Sequence, residues 1–376
     1  MSCWAIRGQT EYFRATAARK YLVSPRIAAR GDSETLSPGT VPLDLPSSRP
    51  HFSHLPLCRQ PVARSFQSCY REVFVHIPDG FLSTPVWATM DVAAVPAVGV
   101  LVRRAQRGFD ESKVPLLGVM GAFVFAAQMI NFPVGIGTSG HLVGAALLAI
   151  TLGPAPATVV MTAILAIQAL VFQDGGILAL GANITNMAVA GTLAGYLPFH
   201  FWGAGKWRKA SIFLGGLLSV LVSAVLALAQ LFVSGVTMPA SVLGISLALF
   251  VVSAALEGAI TLAVVQSLEA INPGFVRKPE SRGSFALGTL ASAAVLLAAI
   301  GVLFASTQPD GIEKLAQTTG ISAHAKALFT TPLTDYQAGF FSAPWLRRAS
   351  AGLAGLGLIY GACVLFGRVV SRKRGA

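Results

Sequence analysis

The sequence predicts an all-α polytopic membrane protein: a seven-helix bundle followed by a C-terminal two-helix hairpin with an extracytoplasmic loop. Three observations predict it. The 376 residues are 54% hydrophobic and 12% charged, too apolar for an ordinary soluble domain. From Thr84 onward, apolar segments follow one another across short polar turns, and roughly 20 apolar residues cross a hydrocarbon core of about 30 Å as a helix. The basic residues behind the net charge of +12 sit in connections and at the tail, which suits a membrane topology and not a nucleic-acid surface.

Residues 1–74 come first. They carry ten Lys/Arg against five Asp/Glu, include Pro- and Ser-rich stretches such as Leu45-Pro46-Ser47-Ser48-Arg49-Pro50, and lack the apolar core of a secretory signal. Three readings compete: an organellar transit peptide, a disordered tail, or upstream DNA translated because the start was placed too early. The last is the expectation, because Val75 is what a GTG start codon reads as when treated as internal. Residues 1–74 are then expected to be absent from the native product.

Nine membrane helices follow, over 86–102, 114–130, 138–153, 156–172, 177–198, 211–234, 240–267, 285–306 and 349–367. A tight turn at Gly153-Pro154 separates the third from the fourth. Arg103-Arg104 with Arg107 and Lys113, Lys206 with Arg208-Lys209, Arg277-Lys278 with Arg282, and Arg368 with Arg372-Lys373-Arg374 fall on alternate connections. That side holds 14 of the 18 Lys/Arg after residue 74. Cytoplasmic loops carry the basic excess, so residues 75–84 are expected outside and the C-terminus inside. Residues 269–283, with Asn272-Pro273-Gly274, read as a linker between units at 75–268 and 284–376. The external loop 307–348 contains Gln308-Pro309-Asp310-Gly311-Ile312-Glu313 and Pro332-Leu333-Thr334-Asp335-Tyr336. No internal repeat supports an inverted-repeat transporter.

Several chemistries are excluded. Cys3, Cys58, Cys69 and Cys363 have no paired spacing, so neither a disulfide framework nor a zinc site is expected. There is no Gly-x4-Gly-Lys-Ser/Thr phosphate loop, no HExxH and no nucleophile–base motif, so the chain reads as neither an ATPase nor another enzyme.

The candidate chemistry lies in Val75-His76-Ile77-Pro78-Asp79-Gly80. With residue 75 first, its α-amine, the amide nitrogen of residue 76 and the His76 imidazole form fused chelate rings around one metal. His141, in Gly135-Ile136-Gly137-Thr138-Ser139-Gly140-His141, is expected at the outer mouth of the third helix on the same side, and would supply a fourth nitrogen. Tetragonal nitrogen sets suit Ni(II) and Cu(II). The bland readings are a helix-end histidine for His141 and a simple turn for Pro78-Asp79-Gly80. Asp79 is expected to orient His76. Gln128 and Asn131 on the second helix, Ser139, and Asn183 and Asn186 on one face of the fifth either support the metal loop or make interhelical hydrogen bonds. Asp91 and Glu257 are carboxylates within helices, with no partner evident from sequence.

These residues also carry a resemblance. From Val75 the chain resembles the CbiM/NikM membrane proteins, the substrate-capturing components of energy-coupling-factor transporters for cobalt and nickel. Members begin Met-His-Ile-Pro-Asp-Gly-Phe-Leu, and this chain reads Val75-His76-Ile77-Pro78-Asp79-Gly80-Phe81-Leu82. Gly121 to Pro133, Gly137-Thr138-Ser139-Gly140-His141-Leu142, Phe172-Gln173-Asp174-Gly175-Gly176 and Gly181 to Met187 match as well. The hairpin at 284–376 resembles the small CbiN/NikN or PDGLE partner, with Ile312 where leucine is usual. The resemblance implies a seven-helix bundle with an inward-plugging N-terminus. It places the metal on the terminal amine, which maps to Val75, and on His76 and His141. It further implies Ni2+ or Co2+ as transported substrate with no resident cofactor. The implied partners are a CbiQ/NikQ-type membrane coupling subunit and a CbiO/NikO-type ATPase, in the bacterial inner membrane. A self-sufficient secondary metal permease is the alternative.

Overall fold

Backbone amides in a lipid-facing segment must find partners within that segment, so apolar runs of this length fold as helices. A computed structural model describes residues 76–108, 111–135, 137–273, 275–276, 285–306, 308–325 and 327–372. Val75 and the residues before it lie outside the described residues, as does most of the 269–283 linker.

The elements, in chain order, are α1 (Thr84–Gly108), α2 (Val114–Gln128), β1 (Phe132–Gly135), β2 (Thr138–Gly140), α3 (Ala145–Leu152) and α4 (Pro154–Ile167). A π-helical turn, Gln168–Phe172, continues α4. Helix α5 runs through Leu180–Asn183, a π segment Ile184–Gly191 and Thr192–Trp202. Then come α6 (Arg208–Val233), α7 (Ala240–Ile271), α8 (Phe285–Ala299), α9 (Gly311–Thr319) and α10 (Pro344–Arg372).

Among the described residues, five runs are long and apolar enough to cross a membrane: Thr84–Arg107, Pro154–Phe172, Arg208–Val233, Ala240–Ile271 and Pro344–Arg368. The other expected spans are shorter or interrupted. The largest departure is the third one, 138–153. Residues 138–140 pair antiparallel with β1, with a register shift between Pro133 and Gly135. Residues 141–144 are irregular, and only the eight residues Ala145–Leu152 are helical, about 12 Å at 1.5 Å per residue. Gly144 explains the break: its φ of 74° is left-handed, and a Cβ there would press 2.5 Å from Val124 Cγ1. The second helix also ends early, at Gln128, so Asn131 lies beyond it.

Helix α2 is apolar all round and almost wholly buried, with α8 and α10 packed along it. Phe125, Phe172, Met120, Leu148, Met161 and Ile164 are each under 2% exposed and form the main core. Helices α6 and α7 pack closely where Gly216 meets Gly258. A second apolar cluster joins Ile77 and Phe81 of the first segment to Leu228 and Leu231 of α6, Phe250 of α7 and Ile312 of α9. Both sequence units thus share packing at the end of the bundle where residue 76 sits.

Candidate metal site

The first described residues are fixed by backbone hydrogen bonds rather than left as a free end. Asn183 of α5 accepts from Ile77 N at 2.8 Å and donates to Ile77 O at 3.1 Å, reading both backbone groups at once. Gly176 N also donates to Ile77 O, at 2.9 Å. Asp79 accepts from Ile177 N (3.0 Å), Leu178 N (2.8 Å) and Ala179 N (3.3 Å), gathering the amides of the turn that leads into α5. A side chain at Gly176 would run into that carboxylate, so the loop can approach only because the position is glycine. This docking buries His76 to 1% exposure.

His141 reaches the same place from the irregular segment before α3. Val143 N and Gly144 N donate to the two oxygens of Glu257, at 2.8 and 2.7 Å. Glu257 is fully buried on α7, 17 residues after Ala240 and 14 before Ile271, or roughly 26 and 21 Å along the axis. A buried carboxylate therefore satisfies backbone that the helix break leaves open. His141 is 3% exposed, and its ring centroid lies 5.8 Å from that of His76.

The tautomers follow from the partners. His141 Nδ1 lies 2.9 Å from Leu142 O, and a carbonyl can only accept, so Nδ1 carries the proton and Nε2 the lone pair. His76 Nδ1 lies 2.8 Å from Asp174 Oδ1, and a carboxylate can only accept, so this Nδ1 carries a proton as well. Burial, with the neighbouring His76 second, pushes the His141 pKa down to about 4, so that ring stays neutral in ordinary conditions.

Asp174 belongs to a longer run of bonds. Its Oδ2 accepts from Tyr336 Oη at 2.6 Å. Gln168 Nε2 donates to Tyr336 Oη at 3.1 Å and to Gln128 Oε1 at 3.0 Å. Gln128 Nε2 donates to Val143 O at 2.7 Å. The chain leaves His76 and returns two residues from His141.

The expected supporting residues therefore divide. Gln128 and Asn183 hold backbone beside the two histidines. Asp79 lies close but binds the turn before α5; the carboxylate on His76 is Asp174. Ser139 donates to Gln308 O at 2.6 Å and its amide to Pro309 O at 2.8 Å, tying β2 to the C-terminal loop. Asn131 O accepts from Ser306 N at 2.8 Å. Asn186 forms a reciprocal amide pair with Gln230 at 2.8 Å, an interhelical contact. Val75 lies outside the described residues. Among the described residues no group of three or more His, Cys, Asp or Glu side chains suits a metal ion. The fused chelate expected from sequence needs Nδ1 of His76, the atom Asp174 holds here, so the two are alternative uses of one nitrogen.

Sequence reasoning missed Asp174, Gln168, Glu257 and Tyr336 as parts of this site. Asp174 stood in a recognised motif but without a role, and Glu257 was visible only as an unpartnered carboxylate. Gln168 sits in a π-helical turn, a local form often found at functional sites, which sequence periodicity does not reveal.

Apolar helices around a buried, histidine-bearing polar centre define a multi-pass membrane protein. The family described as the cobalt uptake substrate-specific transmembrane region, CbiM, matches residues 76–275, and the PDGLE domain matches 284–372. The chain belongs to the CbiM family and carries a PDGLE domain behind it. It is 34% identical over 236 residues to a protein of Archaeoglobus fulgidus named as a fused nickel transport protein NikMN, a match spanning 61% of this chain and 76% of that one. Over 147 residues it is 37% identical to the fused nickel transport protein NikMN of Rhodobacter capsulatus, 39% of this chain and 42% of that protein. Over 129 residues it is 40% identical to a protein of Methanocorpusculum labreanum named as a fused cobalt transport protein CbiMQ, 33% and 21% respectively.

Proposed function

We propose that this chain captures Ni2+ or Co2+ at the extracytoplasmic face of a bacterial inner membrane and delivers it inward as the specificity component of an energy-coupling-factor importer. The observation that carries this reading is the pair of buried imidazoles 5.8 Å apart, each with Nδ1 hydrogen-bonded to protein. Metal–imidazole bonds of about 2 Å allow one ion between rings so spaced. His141 then binds through Nε2, and the α-amine of residue 75 with the amide nitrogen and imidazole of residue 76 supplies the other nitrogens the sequence suggests. Nitrogen ligation of a divalent first-row ion fits nickel and cobalt. The relatives named as nickel and cobalt transport proteins support the substrate, and the CbiMQ-named relative supports a CbiQ-type coupling subunit. A CbiO-type ATPase would supply the energy, and the alternating basic connections support a cytoplasmic C-terminus. Residues 75–268 form the capture unit in this reading, and 284–376 the PDGLE unit.

Purified protein, as the full chain and as a chain beginning at residue 75, tests the site by calorimetric titration with NiCl2. His76→Ala and His141→Ala should each abolish detectable binding while the melting profile persists. Undiminished binding in both variants would overturn the reading. Tighter binding by the chain beginning at 75 is expected if the amine ligates.

A further inference from the structure

The end of the bundle away from the histidines carries chemistry that the metal site does not use. Helix α5 starts at Leu180, next to the turn that Asp79 holds. Trp202, its last residue, lies 22 residues further on, roughly 33 Å at 1.5 Å per residue. A hydrocarbon core is about 30 Å thick, so Trp202 falls at the membrane–water boundary opposite His76.

The turn from α5 into α6 gathers aromatic and cationic side chains at that boundary. Phe201 is 69% exposed, Trp202 51% and Trp207 60%, and Lys206 and Lys209 are exposed beside them. The three cations here are not equivalent. Arg208 is engaged by the protein: Nη1 donates to Gly203 O at 2.6 Å, Nη2 to the Glu269 carboxylate of α7, and the guanidinium covers the Phe199 ring at 4.9 Å. Glu269 is thereby neutralised. Lys206 and Lys209 have no ion-pair partner among the described residues. Lys206 Nζ instead lies 5.9 Å from the centre of the Trp207 ring, which holds its charge beside the indole. Two ammonium groups three residues apart, set among exposed indoles at headgroup depth, complement a phosphate that carries apolar chains.

We infer that the α5–α6 turn is a binding site for an anionic phospholipid: Lys206 and Lys209 pair with the headgroup phosphate, while Phe201, Trp202 and Trp207 lie against its glycerol and upper acyl chains. An acidic protein segment would satisfy the lysines but leave three aromatic rings at lipid depth without a role. Free phosphate would leave them so as well. Each lysine held near an anionic headgroup contributes about fivefold to its binding.

The test reconstitutes the full chain in phosphatidylcholine vesicles containing a fraction of brominated lipid, since bromine quenches tryptophan fluorescence on contact. Brominated phosphatidylglycerol should quench wild type more than brominated phosphatidylcholine at the same fraction. Lys206→Gln combined with Lys209→Gln should lower the preference for phosphatidylglycerol roughly 25-fold, with both indoles still in place. If that variant melts lower than wild type, the single substitutions decide, each weakening the preference about fivefold. Nickel titrations of all three should match wild type, so lipid binding and the metal-site reading stand or fall separately. Equal quenching by the two lipids in wild type, or a preference that survives both substitutions, would overturn the inference. Abolition of the preference by inorganic phosphate at constant ionic strength would also overturn it, because the site would then take the free anion.

Discussion

At the scale of single residues, carboxylates organise this protein. Asp79, Asp174, Glu257 and Asp91 each accept hydrogen bonds that fix a backbone or a ring, Asp91 through Gly181 N at 2.7 Å. Glu257 gives the sharpest prediction. In Glu257→Gln one of the two accepting oxygens becomes an N–H2 group facing a backbone donor. The backbone donor left unsatisfied there costs about 1–3 kcal/mol. Glu257→Gln should therefore melt lower and bind Ni2+ more weakly, because His141 sits two residues from the released amide. A nickel titration indistinguishable from wild type would show that the 141–144 segment holds its shape without the carboxylate. His76 and His141 were legible from sequence because histidine is scarce and chemically conspicuous. The carboxylate on His76 was not: Asp79, three residues away, was the natural guess, whereas Asp174 is 98 residues on. Only the docking of 76–79 against 174–179 brings it there.

At the scale of elements, turns and interruptions carry more information than the helices. The long apolar spans, such as α6 and α7, were readable from composition because lipid-length hydrophobicity leaves few alternatives. The β1–β2 hairpin and the short α3 were not, since Leu142 to Leu152 is apolar enough to pass for a helix and the break depends on a glutamate more than 100 residues away. Helix α9 lies in the stretch read from sequence as an external loop, and its ends are set locally. Asp310 followed three residues later by Glu313 is a capping signal, and Asp310 Oδ1 accepts from Glu313 N at 2.7 Å, with Gly320 in the left-handed form at the other end. Burial pushes the Asp310 pKa well up, and its Oδ2 has no hydrogen-bond partner among the described residues. A carboxyl held above its unfolded value of 3.8 contributes stability below that pH and loses it as pH rises through the raised value. Asparagine caps helices as well as aspartate does and does not titrate. Asp310→Asn should thus match wild type near pH 4 and melt higher than it at neutral pH. Melting curves recorded from pH 4 to 8 that stay parallel would refute this.

At the scale of the whole molecule, the two sequence units are joined through more than their connection. Helices α8 and α10 cover α2, Gly355 of α10 lies against Phe125, and Ser139 bonds to the loop that precedes α9. The sequence suggested two units, but polar linkers mark a boundary in the chain without revealing how much apolar surface each unit leaves for the other. Coexpressed as separate chains, residues 75–276 and 284–376 should copurify in detergent through tagging of either one. Recovery of each alone would mean that the covered face of α2 contributes little to association.

Bonds hold the external loop at both ends: those of Ser139 to Pro309 and Gln308 near its start, and those of Tyr336 to Asp174, Thr334 to Gln173 and Thr331 to Val171 near its end. A flap hinged on one edge can lift by degrees, but one latched on both edges cannot. Its release is a cooperative event in which the first latch to fail gains nothing until the second follows. Opening should consequently be rare and abrupt, with a population set by the combined strength of both fastenings.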